Sequence, residues 1–127
     1  MSHDPINRSA QSWKKSEKHG AGEWLAERFT SIALIPLTLW AAYAAFTIAG
    51  TGYDGALAFV AKPFNILAIA ATMLITAWHM YMGVKVIIDD YIGKPGTRGF
   101  LLFLTFVLSA AVVVATGVAL WLVYQGA

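Results

Sequence analysis

The sequence predicts an all-α integral membrane protein that crosses the bilayer three times. The first observation behind this is composition: 58% of the residues are hydrophobic and only 13% are charged, about half the charged share of soluble domains. A soluble chain of 127 residues cannot bury so much apolar side chain, because a small domain has too much surface for its volume. Lipid can cover what the protein interior cannot.

The second observation is the placement of the charges. Asp, Glu, Lys and Arg are absent from residues 29–53, 63–84 and 99–127. A hydrocarbon core of ~30 Å needs ~20 helical residues, so each stretch can supply one span, which we place near 29–49, 64–86 and 100–124. Because the hydrophobicity is continuous and not alternating, and three spans cannot close a barrel, strands are excluded.

The third observation is the sidedness of the basic residues. All but Lys62, which lies in the first loop, fall in the N-terminal segment or around the second loop. These are Arg8, Lys14, Lys15, Lys18, Arg28, Lys85, Lys94 and Arg98. The positive-inside rule therefore predicts that the N-terminus and second loop face the cytoplasm, or the matrix of a mitochondrion, with the C-terminus across the membrane, which in a bacterium is the periplasmic side.

The first third of the chain is predicted to be a polar arm followed by the first span, all within one domain, 1–127. Residues 1–22 are polar and interrupted by proline and glycine, which is typical of a cytoplasmic arm that orders against a partner. The apolar run after Arg28 is longer than the ~7–15 residues of a signal-peptide core, so a cleaved signal is disfavoured. Pro36 falls inside this first helix and can kink it.

The rest of the chain predicts two more helices. A turn at 50–55 and a short amphipathic stretch lead into the second helix, which can continue to Tyr91 before Gly93 and Pro95 end it. The third helix carries no ionisable residue before Tyr124 and is interpreted as structural. The chain has no cysteine, which excludes disulfides, thiolate catalysis and iron–sulfur ligation by its own residues. Acidic residues interleaved with the basic ones argue against nucleic-acid binding.

His79 is the one histidine within a predicted span. An ionisable residue there usually faces the bundle interior with a partner, so a neutral histidine that bonds a neighbouring helix is one interpretation. An axial haem ligand is the other, since neutral imidazole binds iron well. Gly83 lies one turn further on the same face and would leave room for a flat macrocycle.

Charged and aromatic residues flank the spans on the predicted cytoplasmic side. Asp90 falls eleven residues after His79, about three helical turns and ~16 Å along the axis, and Tyr91 follows it. They form either a solvated helix end or a proton-transferring pair at which the phenol hydrogen-bonds a carbonyl. Arg28 is either a snorkelling anchor or a partner for an acidic group such as a haem propionate, and Ser31 is one turn deeper.

These residues together resemble the hydrophobic membrane anchor of succinate dehydrogenase, respiratory complex II. One part of the pattern is His79-x-x-x-Gly83 with Asp90-Tyr91 eleven and twelve residues after the histidine. The other part is the run Gly22-Glu23-Trp24-Leu25-Ala26-Glu27-Arg28 with Leu34-Ile35-Pro36-Leu37, which is similar to the alphaproteobacterial branch. The resemblance covers nearly the whole chain, and the N-terminal arm departs from it most.

The resemblance implies a site shared with a second chain. It assigns His79 as one axial ligand of haem b, with the other ligand from the companion anchor, the cytochrome b subunit. It assigns Arg28 to the propionate region, Tyr91 to a hydrogen bond with ubiquinone, Asp90 to support of that site and Ser31 to a minor role behind it. The arginine- and serine-containing quinone motif of the cytochrome b subunit is not found here, which favours the hydrophobic membrane anchor over its companion.

The resemblance further implies that this chain is half of a heterodimeric anchor bundle in the bacterial inner membrane. Its partners would be the cytochrome b subunit, the iron–sulfur subunit, the flavoprotein subunit and membrane lipid, and a trimer of heterotetramers is compatible with it. FAD and the iron–sulfur clusters would belong to those partners, where succinate oxidation takes place. Two alternatives stay within redox proteins: a fumarate reductase anchor and another cytochrome b-type subunit. A third is a small non-redox membrane protein in which His79 is a packing or proton-relay residue.

Overall fold

The computed structural model describes the backbone of residues 5–126 and the side chains of residues 21–126. Every regular element in that part is an α-helix: α1 (Pro5–Ile48), α2 (Gly52–Val60), α3 (Pro63–Tyr91) and α4 (Pro95–Tyr124). Three segments, Ala21–Ile48, Pro63–Tyr91 and Pro95–Tyr124, are long and apolar enough to cross a membrane. The predicted all-α fold with three membrane-spanning helices is therefore confirmed. Residues 1–4 of the predicted arm, and Ala127, lie outside the described residues.

Helix α1 begins much earlier than the first predicted span. Its 44 residues extend ~66 Å at ~1.5 Å each, about twice the thickness of the hydrocarbon core, so its N-terminal part projects beyond the membrane. Proline and glycine are expected to break this segment, but Pro5 stands at the first helical position, where a missing N–H is tolerated. Gly20 and Gly22 each weaken a helix by only ~1 kcal/mol, and α1 continues through both of them.

The connection from α1 to α3 is a tight turn followed by the short helix α2. Gly50 and Gly52 have φ of +80° and +75°, the left-handed region that glycine adopts without steric cost. Asn65 is 7% exposed and donates a hydrogen bond of 2.7 Å from Nδ2 to the carbonyl oxygen of Phe59. The ring of Phe59 stacks on Trp40 with centroids 6.4 Å apart. These contacts fix α2 against both neighbouring helices.

Helix α3 lies between α1 and α4 and packs against both. Both α3 and α4 begin with proline, and the residues before them, Lys62 and Lys94, are extended. Proline disfavours helical backbone at the preceding residue, so each proline defines where its helix starts. As predicted, α3 continues without interruption from the membrane to Tyr91, and a short link then reverses the chain into α4.

Few side chains of the described part are buried within the chain. The buried apolar residues are Ala44, Ala77, Met82, Ile88 and Leu120. Large apolar side chains are widely exposed, with Phe46 at 84% and Phe29 at 68% as examples. Exposing apolar surface to water costs a free energy of roughly 25 cal/mol per Å². Lipid or a neighbouring protein would cover the surface and remove that cost.

Candidate functional site

His79 lies on α3 and is held by a side chain of α1. Its Nδ1 is 2.9 Å from Oγ1 of Thr30, 49 residues earlier in the chain. Both side chains are half-buried at the α1–α3 interface. The contact agrees with the expectation that an ionisable residue in a span turns towards a partner on a neighbouring helix.

The hydroxyl of Thr30 has two further neighbours on its own helix. Oγ1 is 2.8 Å from the carbonyl oxygen of Ala26 and 2.9 Å from that of Glu27. A serine or threonine hydroxyl often donates to a carbonyl three or four residues earlier in a helix. Thr30 therefore connects the backbone of α1 to the imidazole on α3.

The other ring nitrogen of His79 is open. Within residues 21–126 no side chain or backbone group hydrogen-bonds to Nε2. Among the described side chains, every nitrogen or oxygen atom that is shielded from solvent has a hydrogen-bond partner. Because Nε2 has no partner, it is not shielded. Nε2 is therefore accessible from the surface of the isolated chain.

The surface one turn from His79 is also unobstructed. Gly83 lies four residues on, and a Cβ added there would meet no atom within 4 Å. Residues four apart lie on the same face of a helix. His79 therefore borders a surface of α3 that this chain leaves uncovered.

Arg28 and Ser31 lie on the same helical segment as Thr30, but neither is hydrogen-bonded to His79. The guanidinium of Arg28 stands over the ring of Trp24, 5.0 Å from its centroid, and is exposed. Ser31 is exposed and donates from Oγ to the carbonyl oxygen of Glu27 at 2.8 Å. The roles predicted for both residues remain predictions.

Thr30 is the residue that the sequence reasoning missed, since it named Ser31 instead. Which of these two adjacent hydroxyls reaches His79 depends on the rotation of α1 about its axis. The sequence around His79 carries no information about that rotation. A usable signal exists in α1 itself, because Ala26, Thr30, Ala33 and Leu37 repeat at helical spacing and are all half-buried. Thr30 is the polar member of that face.

Asp90 and Tyr91 complete the last turn of α3. Both side chains are exposed, Tyr91 at 82%. Because α3 is continuous, Asp90 shares a face with His79 and lies ~16 Å from it along the axis, as expected. The phenol of Tyr91 is free to meet a ligand or another protein beyond the chain.

Two clefts flank the central helix and share Trp78 and Tyr81 as walls. The cleft between α1 and α3 has a volume of about 270 Å³, and an ion pair of Lys85 Nζ with Glu23 Oε1 at 2.8 Å lies in its wall. The cleft between α3 and α4, about 370 Å³, is lined by Leu74, Ala77, Trp78, Tyr81, Phe106, Ser109, Ala110, Val113 and Val114. His79 lines neither of these clefts.

The number of potential metal ligands near His79 limits what this chain can bind by itself. No group of three or more His, Cys, Asp or Glu side chains that could hold a metal ion occurs within the described residues. His79 is accordingly a single potential ligand in this region. A metal bound there would need further ligands from a macrocycle, another chain or solvent.

Fold and site together define a class: a multi-pass helical membrane protein with one intramembrane histidine and large apolar surfaces left for lipid and neighbouring proteins. Within that class, residues 2–124 match the family model described as "Succinate dehydrogenase/Fumarate reductase transmembrane subunit". The chain belongs to this family.

Curated relatives agree with the family assignment. The chain is 32% identical over 114 residues to the "Succinate dehydrogenase hydrophobic membrane anchor subunit" of Rickettsia conorii, covering 87% of each chain. It is 31% identical to the protein of the same name from Rickettsia typhi, covering 84% of this chain and 85% of that one. It is 32% identical to the "Succinate dehydrogenase membrane anchor subunit" of Reclinomonas americana, covering 72% and 79%. No solved structure matches.

These comparisons confirm the resemblance seen in the sequence. The chain is a membrane anchor subunit of succinate dehydrogenase and a component of complex II. Its three apolar helices make it a multi-pass protein, which we assign to the bacterial inner membrane. The interpretation of the chain as a non-redox membrane protein is set aside on this ground.

Proposed function

We propose that this chain is one half of a paired membrane anchor that tethers the flavoprotein and iron–sulfur subunits of succinate:ubiquinone oxidoreductase. It contributes one axial ligand of haem b and part of the ubiquinone-reduction site. The N-terminus and the link between α3 and α4 face the cytoplasm, and the C-terminus faces the periplasm. The basic residues around both cytoplasmic segments support this orientation.

The observation that carries the haem assignment is the state of the His79 ring. Nδ1 is occupied by Thr30, while Nε2 is unpaired among the described residues and reaches the surface. Neutral imidazole nitrogen is a good iron ligand, so the donor chemistry fits haem. When bound, haem b supplies one-electron transfer inside the membrane.

The surroundings of His79 fit a group shared between two chains. A Cβ added at Gly83, one turn from His79, would meet no atom within 4 Å, so the glycine keeps this face free of side-chain atoms, which suits a flat group. The resemblance assigns Arg28 to the propionate region, and its exposed guanidinium has the chemistry to pair with a carboxylate. The second axial ligand comes from the companion anchor, the cytochrome b subunit.

The quinone assignment rests on the exposed end of α3. The phenol of Tyr91 donates a hydrogen bond to a ubiquinone carbonyl, and the carboxylate of Asp90 supports that site. Two acidic residues at a helix C-terminus oppose the helix dipole, so Asp89 and Asp90 do not serve local helix stability. Ser31, whose hydroxyl already donates to Glu27, has at most an indirect part in this site.

Substrate oxidation belongs to the partner subunits. This chain has no cysteine with which to hold an iron–sulfur cluster. The iron–sulfur subunit carries the clusters and the flavoprotein subunit carries FAD, as the family resemblance implies. The anchor provides attachment to the membrane, His79 for the haem and Tyr91 for ubiquinone. The assembly is compatible with a trimer of heterotetramers.

A second candidate is an anchor working in the direction of fumarate reduction, because the family description covers both enzymes. The relatives from Rickettsia conorii and Rickettsia typhi are both named as succinate dehydrogenase subunits, which favours succinate oxidation.

The test is a reduced-minus-oxidised optical spectrum of the detergent-purified complex, combined with intact mass spectrometry of the same sample. We expect a b-type haem signal and a mass that includes the cytochrome b, iron–sulfur and flavoprotein subunits. A complex with all of these partners and no b-type signal would contradict the haem assignment. A chain that purifies without the partners would contradict the tethering role.

A further inference from the structure

The contact between Thr30 and His79 determines which ring nitrogen of the histidine carries the proton. A hydroxyl has one hydrogen to donate and two lone pairs to accept with. Carbonyl oxygens can only accept, and those of Ala26 and Glu27 lie 2.8 and 2.9 Å from Oγ1 of Thr30. The hydroxyl hydrogen therefore points to the α1 backbone, and Oγ1 turns a lone pair towards His79.

The imidazole must then donate to Thr30. Nδ1 lies 2.9 Å from Oγ1, a hydrogen-bond distance that requires a hydrogen between the two atoms. Since the hydroxyl hydrogen is directed elsewhere, that hydrogen belongs to Nδ1. A neutral ring protonated at Nδ1 has its free lone pair at Nε2, the nitrogen that is open to the surface.

We propose that Thr30 is the positioning residue of the haem ligand: it holds His79 in the Nδ1–H tautomer, which would leave the lone pair of Nε2 available to an iron. The inference rests on the proposed haem function of His79. Outer hydrogen bonds of this kind fix the ring orientation of ligating histidines and raise their basicity. Thr30 acts on the iron through the histidine and does not touch it.

The hydrogen bonds from Thr30 Oγ1 to the α1 carbonyl oxygens hold the hydroxyl in one orientation, in which Oγ1 can only accept from His79. A free hydroxyl could rotate and accept or donate as the ring demands, whereas one tied to its own helix presents a fixed lone pair. Threonine also has restricted χ1 freedom in a helix, where its hydroxyl can bond back to the preceding turn. The pair therefore transmits the position of the α1 backbone to the imidazole plane.

The experiment compares three variants of the full complex with the wild type. Thr30→Val keeps the side-chain shape and removes the hydroxyl, while Thr30→Ser keeps the hydroxyl. Thr105→Val is the matched control, because Thr105 is a half-buried threonine of α4 whose Oγ1 bonds to its own helix alone, at 2.8 Å from the carbonyl oxygen of Leu101. Thr30→Ala replaces Thr30→Val if the valine variant does not assemble. The readouts are haem content per flavin, the haem midpoint potential and the low-spin electron paramagnetic resonance spectrum.

We expect Thr30→Val to weaken haem retention about tenfold and to change the resonance spectrum, since the ligand loses basicity and orientation. The ferric form depends more on ligand basicity, so the midpoint potential should rise. A tenfold larger loss of affinity for the ferric than the ferrous form corresponds to a shift of about 59 mV. Thr30→Ser and Thr105→Val should match the wild type.

The outcomes separate this inference from the function on which it rests. A wild-type complex without haem overturns both. A wild-type complex with haem, whose potential and spectrum are unchanged in Thr30→Val, overturns the role of Thr30 and leaves His79 as ligand. Equal effects of Thr30→Val and Thr30→Ser, with the control normal, would assign Thr30 to packing and also overturn the inference.

Discussion

The two interfaces of the central helix differ in chemistry. The α1–α3 interface carries two polar contacts between helices, Thr30 with His79 and Glu23 with Lys85. In the described part of the chain the α3–α4 interface is apolar, with Tyr81 packing edge-on against Phe106 at 6.2 Å between centroids. The cleft between these two helices is likewise lined mainly by apolar side chains, Ala77 and Ala110 among them.

This difference shows how a small anchor combines stability with a specific site. Helix packing in lipid depends on close van der Waals contact, which the apolar interface supplies. A polar group inside a membrane is costly to leave without a hydrogen-bond partner. A polar pair between two helices therefore determines the rotation of each helix relative to the other. We therefore expect substitutions at the Thr30–His79 contact to change the chemistry of the site, and substitutions at the α3–α4 interface to change stability alone.

The largest effect is expected for His79→Ala in the complete complex. Removal of the imidazole removes the proposed iron ligand, so the b-type signal should be lost or reduced to a small residue. Tyr81→Phe is the control from the other face of α3, and it should retain the signal because it keeps the ring that packs on Phe106. Normal haem content per flavin in His79→Ala would contradict ligation by this residue.

Tyr91→Phe should lower ubiquinone reduction about tenfold, because one hydrogen bond of ~1.4 kcal/mol to the quinone is lost. Succinate oxidation with a soluble electron acceptor should be unchanged, since it bypasses the quinone site. Tyr124→Phe is the matched control: Tyr124 is also an exposed tyrosine in the last turn of its helix, α4, and stacks on Trp121. Parallel losses in both assays would argue against a quinone-site role for Tyr91.

Phe106→Ala tests the apolar interface. The ring of Phe106 packs edge-on against Tyr81 at 6.2 Å between centroids, and loss of this aromatic pair should destabilise the chain by about 0.5–1.5 kcal/mol. Thermal unfolding of the purified complex measures this as a lower midpoint, while the optical spectrum of the remaining folded complex should stay normal. A shifted haem spectrum at wild-type stability would show that the two interfaces are not independent.

The smallest effect is expected at the ion pair of Lys85 and Glu23. Their side chains are 35% and 47% exposed, and pairs with that exposure contribute about 0–1 kcal/mol. A double-mutant cycle with Lys85→Gln and Glu23→Gln, followed by thermal unfolding, isolates the pair energy from other contacts of Glu23. A coupling energy well above 1 kcal/mol would show that a neighbouring protein shields this pair from water.

The sequence by itself determined the elements and the chemistry available to them. The uncharged stretches predicted three spans, because only a helix satisfies its own backbone in lipid, and the structure places helices over all three. Gly93 and Pro95 correctly predicted that the second membrane helix continues to Tyr91 before it ends. The residue types at His79, Asp90 and Tyr91 also carried the family resemblance that the comparisons confirm.

The tertiary structure decided which residues meet. The N-terminal limit of α1 depends on whether isolated glycines end a helix, and composition alone misjudged that. The choice of Thr30 over Ser31 depends on the rotation of α1 against α3, because adjacent residues on a helix point ~100° apart. Contacts between distant segments follow from packing of whole faces, so His79 acquired its partner only once α1 and α3 were placed side by side.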